Sequence, residues 1–200
     1  MSVKVRKATR DDATLLLRVV DMASGGVVPT LWSQVAPPGM DGSDLGRALV
    51  EAEDGDFSYR NAFIAEREGA ELGGLIGYVL PITPQPAEPD VPEAFVGIEE
   101  LAQLVPGYWY INFMAAVPDA RRQGVGAALL AKAEQQARNL SCPGLALIVA
   151  ASNENAIIAY RRAGYVESAR RPFDLSDFGE ESTDAVLMVN DCLLYTSDAA

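Results

Sequence analysis

The stretch DARRQGVGAALLAKAEQQAR, residues 119–138, sets two arginines, Arg121 and Arg122, and two glycines, Gly124 and Gly126, directly ahead of a run with helical apolar spacing. Such a turn can hold an anion. Glycine lets backbone approach a phosphate with no Cβ in the way, guanidinium groups add charge, and a helix N-terminus offers unpaired N–H groups with a partial positive charge. A glycine-rich turn that only packs a helix against its strand uses the same residues. Two nucleotide-binding patterns match poorly: the third glycine of the dinucleotide fingerprint falls on Leu129, and the Gly-Lys-Ser/Thr of a Walker phosphate loop is missing.

The elements that must position this turn can be read from periodicity. SVKVRKA alternates as a strand does, and Thr9-Arg10-Asp11-Asp12 opens a helix with Leu15, Leu16, Val19 and Val20 on one side. Residues 23–38 are broken by Gly and Pro, and DGSDLGRALVEAEDGD predicts a second helix capped by Ser43 or Asp44. NAFIAERE and LGGLIGYVLP predict an antiparallel strand pair. Residues 81–93 hold five of the twelve prolines and predict an extended, exposed connection, with a short helix around IEELAQL after it.

YWYINFMAAV then reads as a buried strand that ends at Pro118. It is followed by the opening turn and a helix on which Val125, Leu129, Ala133 and Ala137 recur at helical spacing. LALIVA is the next strand, NENAIIAYRRAG the next helix, and YVESARR and AVLMV the last two strands. The order predicts an α/β (α+β) fold, a mixed central sheet of about seven strands flanked by helices. A parallel β-α-β unit spans residues 108–150. In such units ligands collect beyond the carboxyl ends of the strands, where residues 121–126 and 152–155 lie.

Composition narrows the chemistry. The 200 residues fit one domain, 49% are apolar and 22% charged, and no apolar run reaches the ~18 residues that a membrane helix needs. Membrane partners are therefore not expected. Histidine is absent, which removes histidine triads, a histidine base and the usual zinc sets, so no metal is expected. The formal charge of −12 argues against nucleic acid, yet residues 119–171 carry eight basic side chains against four acidic ones. That segment suits one polyanionic ligand. With Cys142 and Cys192 making no disulfide framework and no secretory pattern in MSVKVRKATRDDA, a cytoplasmic setting is expected. Residues 191–200, DCLLYTSDAA, have no amphipathic pattern and read as a non-native or disordered tail to a domain of residues 1–190.

Together the turn and the later helix resemble the GNAT superfamily of acetyl-CoA-dependent N-acyltransferases. Arg121-Arg122-Gln123-Gly124-Val125-Gly126 is similar to its central motif, Gln or Arg, two residues, Gly, one residue, then Gly or Ala, with Arg122 where the family often has glycine. Asn153, Ala156, Tyr160, Gly164 and Tyr165 in NENAIIAYRRAGY are similar to its downstream motif. The resemblance implies a GNAT-like fold with acetyl-CoA as donor, bound on the β-α-β unit. The backbone of Met114, Ala115 and Ala116 would hold the pantetheine arm and acetyl carbonyl. The turn of Arg121 and Arg122 would place amides from Gln123, Gly124, Val125, Gly126 and Ala127 on the pyrophosphate. Asn153 would help orient the cofactor, and Tyr160 would protonate the departing thiolate. Helical spacing puts Tyr160 on the face of Ala156 and Gly164, a position that a packed core tyrosine also fits.

Amine attack on a thioester needs a neutral amine, an oxyanion stabiliser and a proton for the thiolate. For the base, strand alternation offers Tyr110 and Asn112, which could hold a water, and the upstream carboxylates are Glu99 and Glu100. None is singled out. Trp32, Pro37-Pro38 and the Pro-rich segment would shape the acceptor site, and Tyr59 and Arg60 could meet a substrate carboxylate or be ordinary surface. The expected activity is acetyl transfer to a primary amine of a small-molecule or peptide acceptor in a ternary complex, by a monomer or homodimer. A non-catalytic acyl-CoA sensor on the same fold, or a nucleotide-binding oxidoreductase, are the alternatives.

Overall fold

The alternating start forms β1 (Lys4–Lys7), and the next two strand patterns form β2 (Ala62–Arg67) and β3 (Ala70–Val79). These pair antiparallel, with Lys4 opposite Glu66 and Ala62 opposite Ile76. YWYINFMAAV supplies β4 (Trp109–Ala116) and LALIVA supplies β5 (Leu145–Ala150), while the chain closes with β6 (Val166–Phe173) and β7 (Thr183–Asn190). β4 runs parallel to β5 from Trp109 opposite Leu145 to Ile111 opposite Leu147, and β7 is antiparallel to both β5 and β6. The computed structural model, which describes residues 2–83 and 91–191, orders the sheet β1-β2-β3-β4-β5-β7-β6. This is the mixed seven-stranded α/β sheet that the sequence predicts.

Among the described residues six α-helices accompany it: α1 (Ala13–Ser24), α2 (Val27–Val35), α3 (Gly42–Glu51), α4 (Glu93–Ala102), α5 (Val125–Asn139) and α6 (Glu154–Arg162). Three differ from expectation. The Gly/Pro-broken segment contains α2, because Pro29 falls in its first turn, where a missing N–H costs nothing. α3 is capped by Asp41 rather than Ser43 or Asp44: the Asp41 carboxylate accepts from the Asp44 N–H and the Ser43 hydroxyl, both at 2.8 Å. α4 begins at Glu93, five residues before the predicted start. Residues 84–90 of the Pro-rich connection and residues 192–200 of the tail lie outside the described residues. Asp191 is described, and it accepts a 2.8 Å hydrogen bond from the Tyr108 hydroxyl.

Contacts divide the chain into two units. One holds residues up to Tyr78 with Asn112–Lys132, the other Val79–Ile111 with the residues from Ala133. In the first, Leu15, Leu16, Val19 and Val20 from α1 pack with Trp32, Val50, Ile64 and Ile76, and Phe113 and Ala115 close the cluster. Phe57 sits between Trp32 and Phe113, with ring centroids 5.3 and 5.4 Å away. In the second, Leu101, Leu145, Leu147, Leu187 and Met188 are fully buried, and Phe95 meets Phe173 and Phe178 edge-on.

One ionic network is buried enough to matter for stability. Arg6 donates to both oxygens of Asp12, at 2.8 and 2.7 Å, and from Nε to Glu66 at 2.8 Å. Asp12, only 4% exposed, also accepts from the Thr9 N–H at 2.7 Å. The Arg6 guanidinium, helped by Thr9, lowers the Asp12 carboxyl to about 2. A carboxylate depressed on folding contributes stability above its unfolded value and loses it as pH falls through the folded one. Asp12→Asn is therefore expected to cost roughly 2 kcal/mol at neutral pH. Denaturation curves of the two proteins should differ above about pH 4 and converge near pH 2.

Candidate active site

The backbone proposed to hold an acyl group is positioned by an unusually close approach. Gly73 on β3 faces β4, and a Cβ there would lie 2.3 Å from the Ala115 carbonyl oxygen and 2.8 Å from the Ala116 Cα. The Val117 N–H donates to the Leu72 carbonyl at 2.9 Å and fixes the same register. Any side chain at 73 must push β4 aside at Ala115 and Ala116. Gly73→Ala is expected to cost about 1–3 kcal/mol, as overpacking does, and urea denaturation measures it.

Beyond β4, residues Pro118–Ala120 make one 3-10 turn and the chain reaches α5 through Arg121–Gly124. Arg122 is left-handed at φ 60° and Gly124 at φ 84°. The first conformation explains why glycine suits position 122, and an arginine there carries a strain of order 1 kcal/mol. The helix's own backbone ladder starts with the Ala128 N–H donating to the Gly124 carbonyl at 3.0 Å. The N–H groups of Gln123 to Ala127 lie outside that ladder, as those of a first helical turn do.

The glycines bear on the choice between packing and binding. A Cβ at Gly124 or at Gly126 would meet nothing within 4 Å. Neither glycine makes room for protein. What they leave open is the space in front of an unpaired, positively polarised helix end, which fits a diphosphate. Charge points the same way. Of the basic side chains between 119 and 171, Arg138 pairs with Glu134, Arg161 and Arg170 with Glu167, and Arg171 with Glu100. Among the described residues Arg121 and Arg122, like Arg162 at the end of α6, are exposed and have no carboxylate partner.

In the other unit, Asn153 caps α6: its side-chain oxygen accepts from the Ala156 N–H at 3.2 Å. Its amide N–H groups stay available as donors. Tyr160 lies two turns along α6, half-buried, with its ring 5.8 Å from that of Tyr165. Burial pushes the Tyr160 phenol up to about 12 and raises that of Tyr165 further. Among the described residues the Tyr160 hydroxyl has no hydrogen-bond partner. A phenol held protonated and uncommitted can give up a proton, not take one.

The structure thus gathers Met114–Ala116 with Arg121–Ala127 in one unit, and Asn153 with Tyr160 in the other. Tyr110 is buried, while Glu100 is held at 2.7 Å by Arg171, an ordinary ion pair. Arg60 is taken by Glu53, which also accepts from Tyr59 at 2.9 Å, so both residues are engaged at the surface. Trp32 is 4% exposed and belongs to the core rather than to a surface. Among the described residues no three metal-ligating side chains come together, and no single helix is long and apolar enough to cross a membrane.

The fold is one that solved acetyltransferases share. The family model described as the Acetyltransferase (GNAT) family matches residues 42–165, and the chain belongs to that family, whose acyl donor is acetyl-CoA. A search of curated protein sequences finds no match. Solved structures share the fold at low identity. An N-acetyltransferase from Staphylococcus aureus Mu50 is 15% identical over 93% of this chain and 99% of its own, with a TM-score of 0.64. The polyamine N-acetyltransferase of Drosophila melanogaster is 16% identical over 95% and 100%, TM-score 0.60. The ribosomal-protein-S18-alanine N-acetyltransferase of Escherichia coli is 18% identical over 100% and 99%, TM-score 0.57.

Proposed function

We propose that the protein transfers an acetyl group from acetyl-CoA directly to a primary amine of a small-molecule or peptide acceptor, in a ternary complex. The observation that carries this reading is the open helix end at Gly124 and Gly126, with two unpaired arginines beside it. Acetyl-CoA supplies an activated thioester carbonyl. In this reading the N–H groups of Gln123 to Ala127 hold its diphosphate, and Arg121 and Arg122 balance its charge. The backbone of Met114 to Ala116 orients the pantetheine arm and gives the carbonyl oxygen an N–H donor. Asn153 orients the cofactor through its free amide, and Tyr160 donates the proton that the leaving sulfur needs.

The related structures act on acceptors as different as a polyamine and the alanine of a ribosomal protein, so an acceptor screen must span both classes. Thiol release is followed with acetyl-CoA against diamines, amino sugars and short peptides with free N-termini. With the best acceptor, intersecting initial-velocity lines support direct transfer. Parallel lines indicate a covalent acyl-enzyme and contradict it. Binding of acetyl-CoA with no turnover on any amine would instead mark a sensor. A cytoplasmic setting and a monomeric or homodimeric state belong to the same reading.

A further inference from the structure

We propose that Arg67 is a positioning residue for the cofactor turn, holding Gln123 so that the N–H groups after it face the diphosphate. The proposal rests on the reading that this turn binds acetyl-CoA. Arg67 ends β2, far from the turn in sequence, yet both terminal nitrogens of its guanidinium go to one residue. One donates to the Gln123 side-chain oxygen at 2.8 Å, the other to the Gln123 main-chain carbonyl at 3.3 Å. Gln123 in turn donates from Nε2 to the Asp119 carbonyl at 2.6 Å. The chain of bonds brackets the turn from Asp119, through left-handed Arg122, to Gly124.

Its effect follows from peptide geometry. The Gln123 carbonyl and the Gly124 N–H belong to one planar trans unit and point in opposite directions. Drawing the carbonyl to Arg67 therefore aims the Gly124 N–H away from Arg67. Two bonds to the same residue fix both the rotation of that peptide and the side chain beside it, which is the preorganisation an anion site needs.

The third nitrogen sets a cost against whatever stability the strap supplies. Arg67 Nε is buried with no hydrogen-bond partner. A desolvated donor left unpaired is a cost to the folded state. An apolar side chain of similar length would fill the same path without that cost. A residue that leaves one donor desolvated while fixing a peptide beside an open helix end fits a role at the site.

The test uses the full chain and four variants: Arg67→Met, Arg67→Lys, Gln123→Ala and the Arg67→Met/Gln123→Ala pair. Acetyl-CoA affinity is measured by calorimetry and stability by thermal unfolding. Arg67→Met is expected to weaken acetyl-CoA binding about tenfold while its Tm equals or exceeds that of the parent, with Arg67→Lys between the two. The pair should bind no more weakly than the worse single variant, because both act through the same peptide. If Arg67→Met binds as the parent does, or if the two losses simply add, the positioning role is overturned. A fall in Tm with unchanged affinity overturns it too and leaves a structural strap. Failure of the parent itself to bind acetyl-CoA is a different result: it removes the underlying reading of the turn, and this proposal with it.

Discussion

Replacing Tyr160 by Phe is expected to lower kcat about a hundredfold while leaving the affinity for acetyl-CoA within about twofold. The substitution keeps the ring, its contact with Tyr165 and nearly all the buried area, and removes only a hydroxyl that has no protein partner among the described residues. No buried donor or acceptor is stranded, so the fold has no reason to suffer. The thiolate then leaves without a proton from the protein. The pH dependence sharpens the test. With the phenol held near 12, Tyr160 stays protonated across the neutral and mildly alkaline range. Rates should climb as the acceptor amine, near ~10.4 for a lysine-like group, loses its proton, with no falling limb from Tyr160 below about pH 11. The Phe variant should climb in parallel at a lower level. An ascending limb that the variant lacks would show that Tyr160 acts in its ionised form and would contradict the acid role. An unchanged kcat would return it to the core.

Gly126→Asp is expected to weaken acetyl-CoA binding at least a hundredfold, about 2.7 kcal/mol, without lowering stability. The position is the second residue of α5, its Cβ would meet nothing within 4 Å, and its backbone is not left-handed. A carboxylate in the first turn of a helix interacts favourably with the dipole, so Tm should hold or rise slightly. The same carboxylate occupies the space and the potential that a diphosphate would use. Binding and stability are thus driven in opposite directions by one change. If the glycine served only to pack the helix on its strand, Tm would fall and affinity would not follow.

Much of this site was legible because it is local. The turn, the helix behind it and the face of Val125, Leu129, Ala133 and Ala137, none more than 2% exposed, depend on residues within a few turns of one another. So does the spacing from Asn153 to Tyr160, which places the tyrosine on a face two turns below the cap. Periodicity and capping chemistry operate over that range. Boundaries were less legible for an equally physical reason. Asp41, Ser43 and Asp44 can all cap a helix, and the choice of Asp41 is made by where α3 can begin against its neighbours. Pro29 reads as a break until its place in a first turn is known.

What sequence alone hid is what long-range register creates. Gly73 and Ala115 are brought together by the β3–β4 pairing, and no pattern around a Gly-Gly in a strand says what its missing side chain makes room for. Arg67 ends a strand as many arginines do, and nothing in ERE marks the one that reaches Gln123. The insertion of β7 between β5 and β6 is likewise a property of the assembled sheet. In these cases the chemistry is ordinary and the partner is distant.

The most direct test of the central claim is a calorimetric titration of acetyl-CoA into the 200-residue protein, with NADH as control ligand. Saturable binding of acetyl-CoA alone, with a Kd of the order of 1 μM or about −8.2 kcal/mol, is the predicted result. A demonstrably folded protein that ignores acetyl-CoA, or that takes NADH equally well, would contradict it. The open turn at Arg121 to Gly126 would then not be a coenzyme A site.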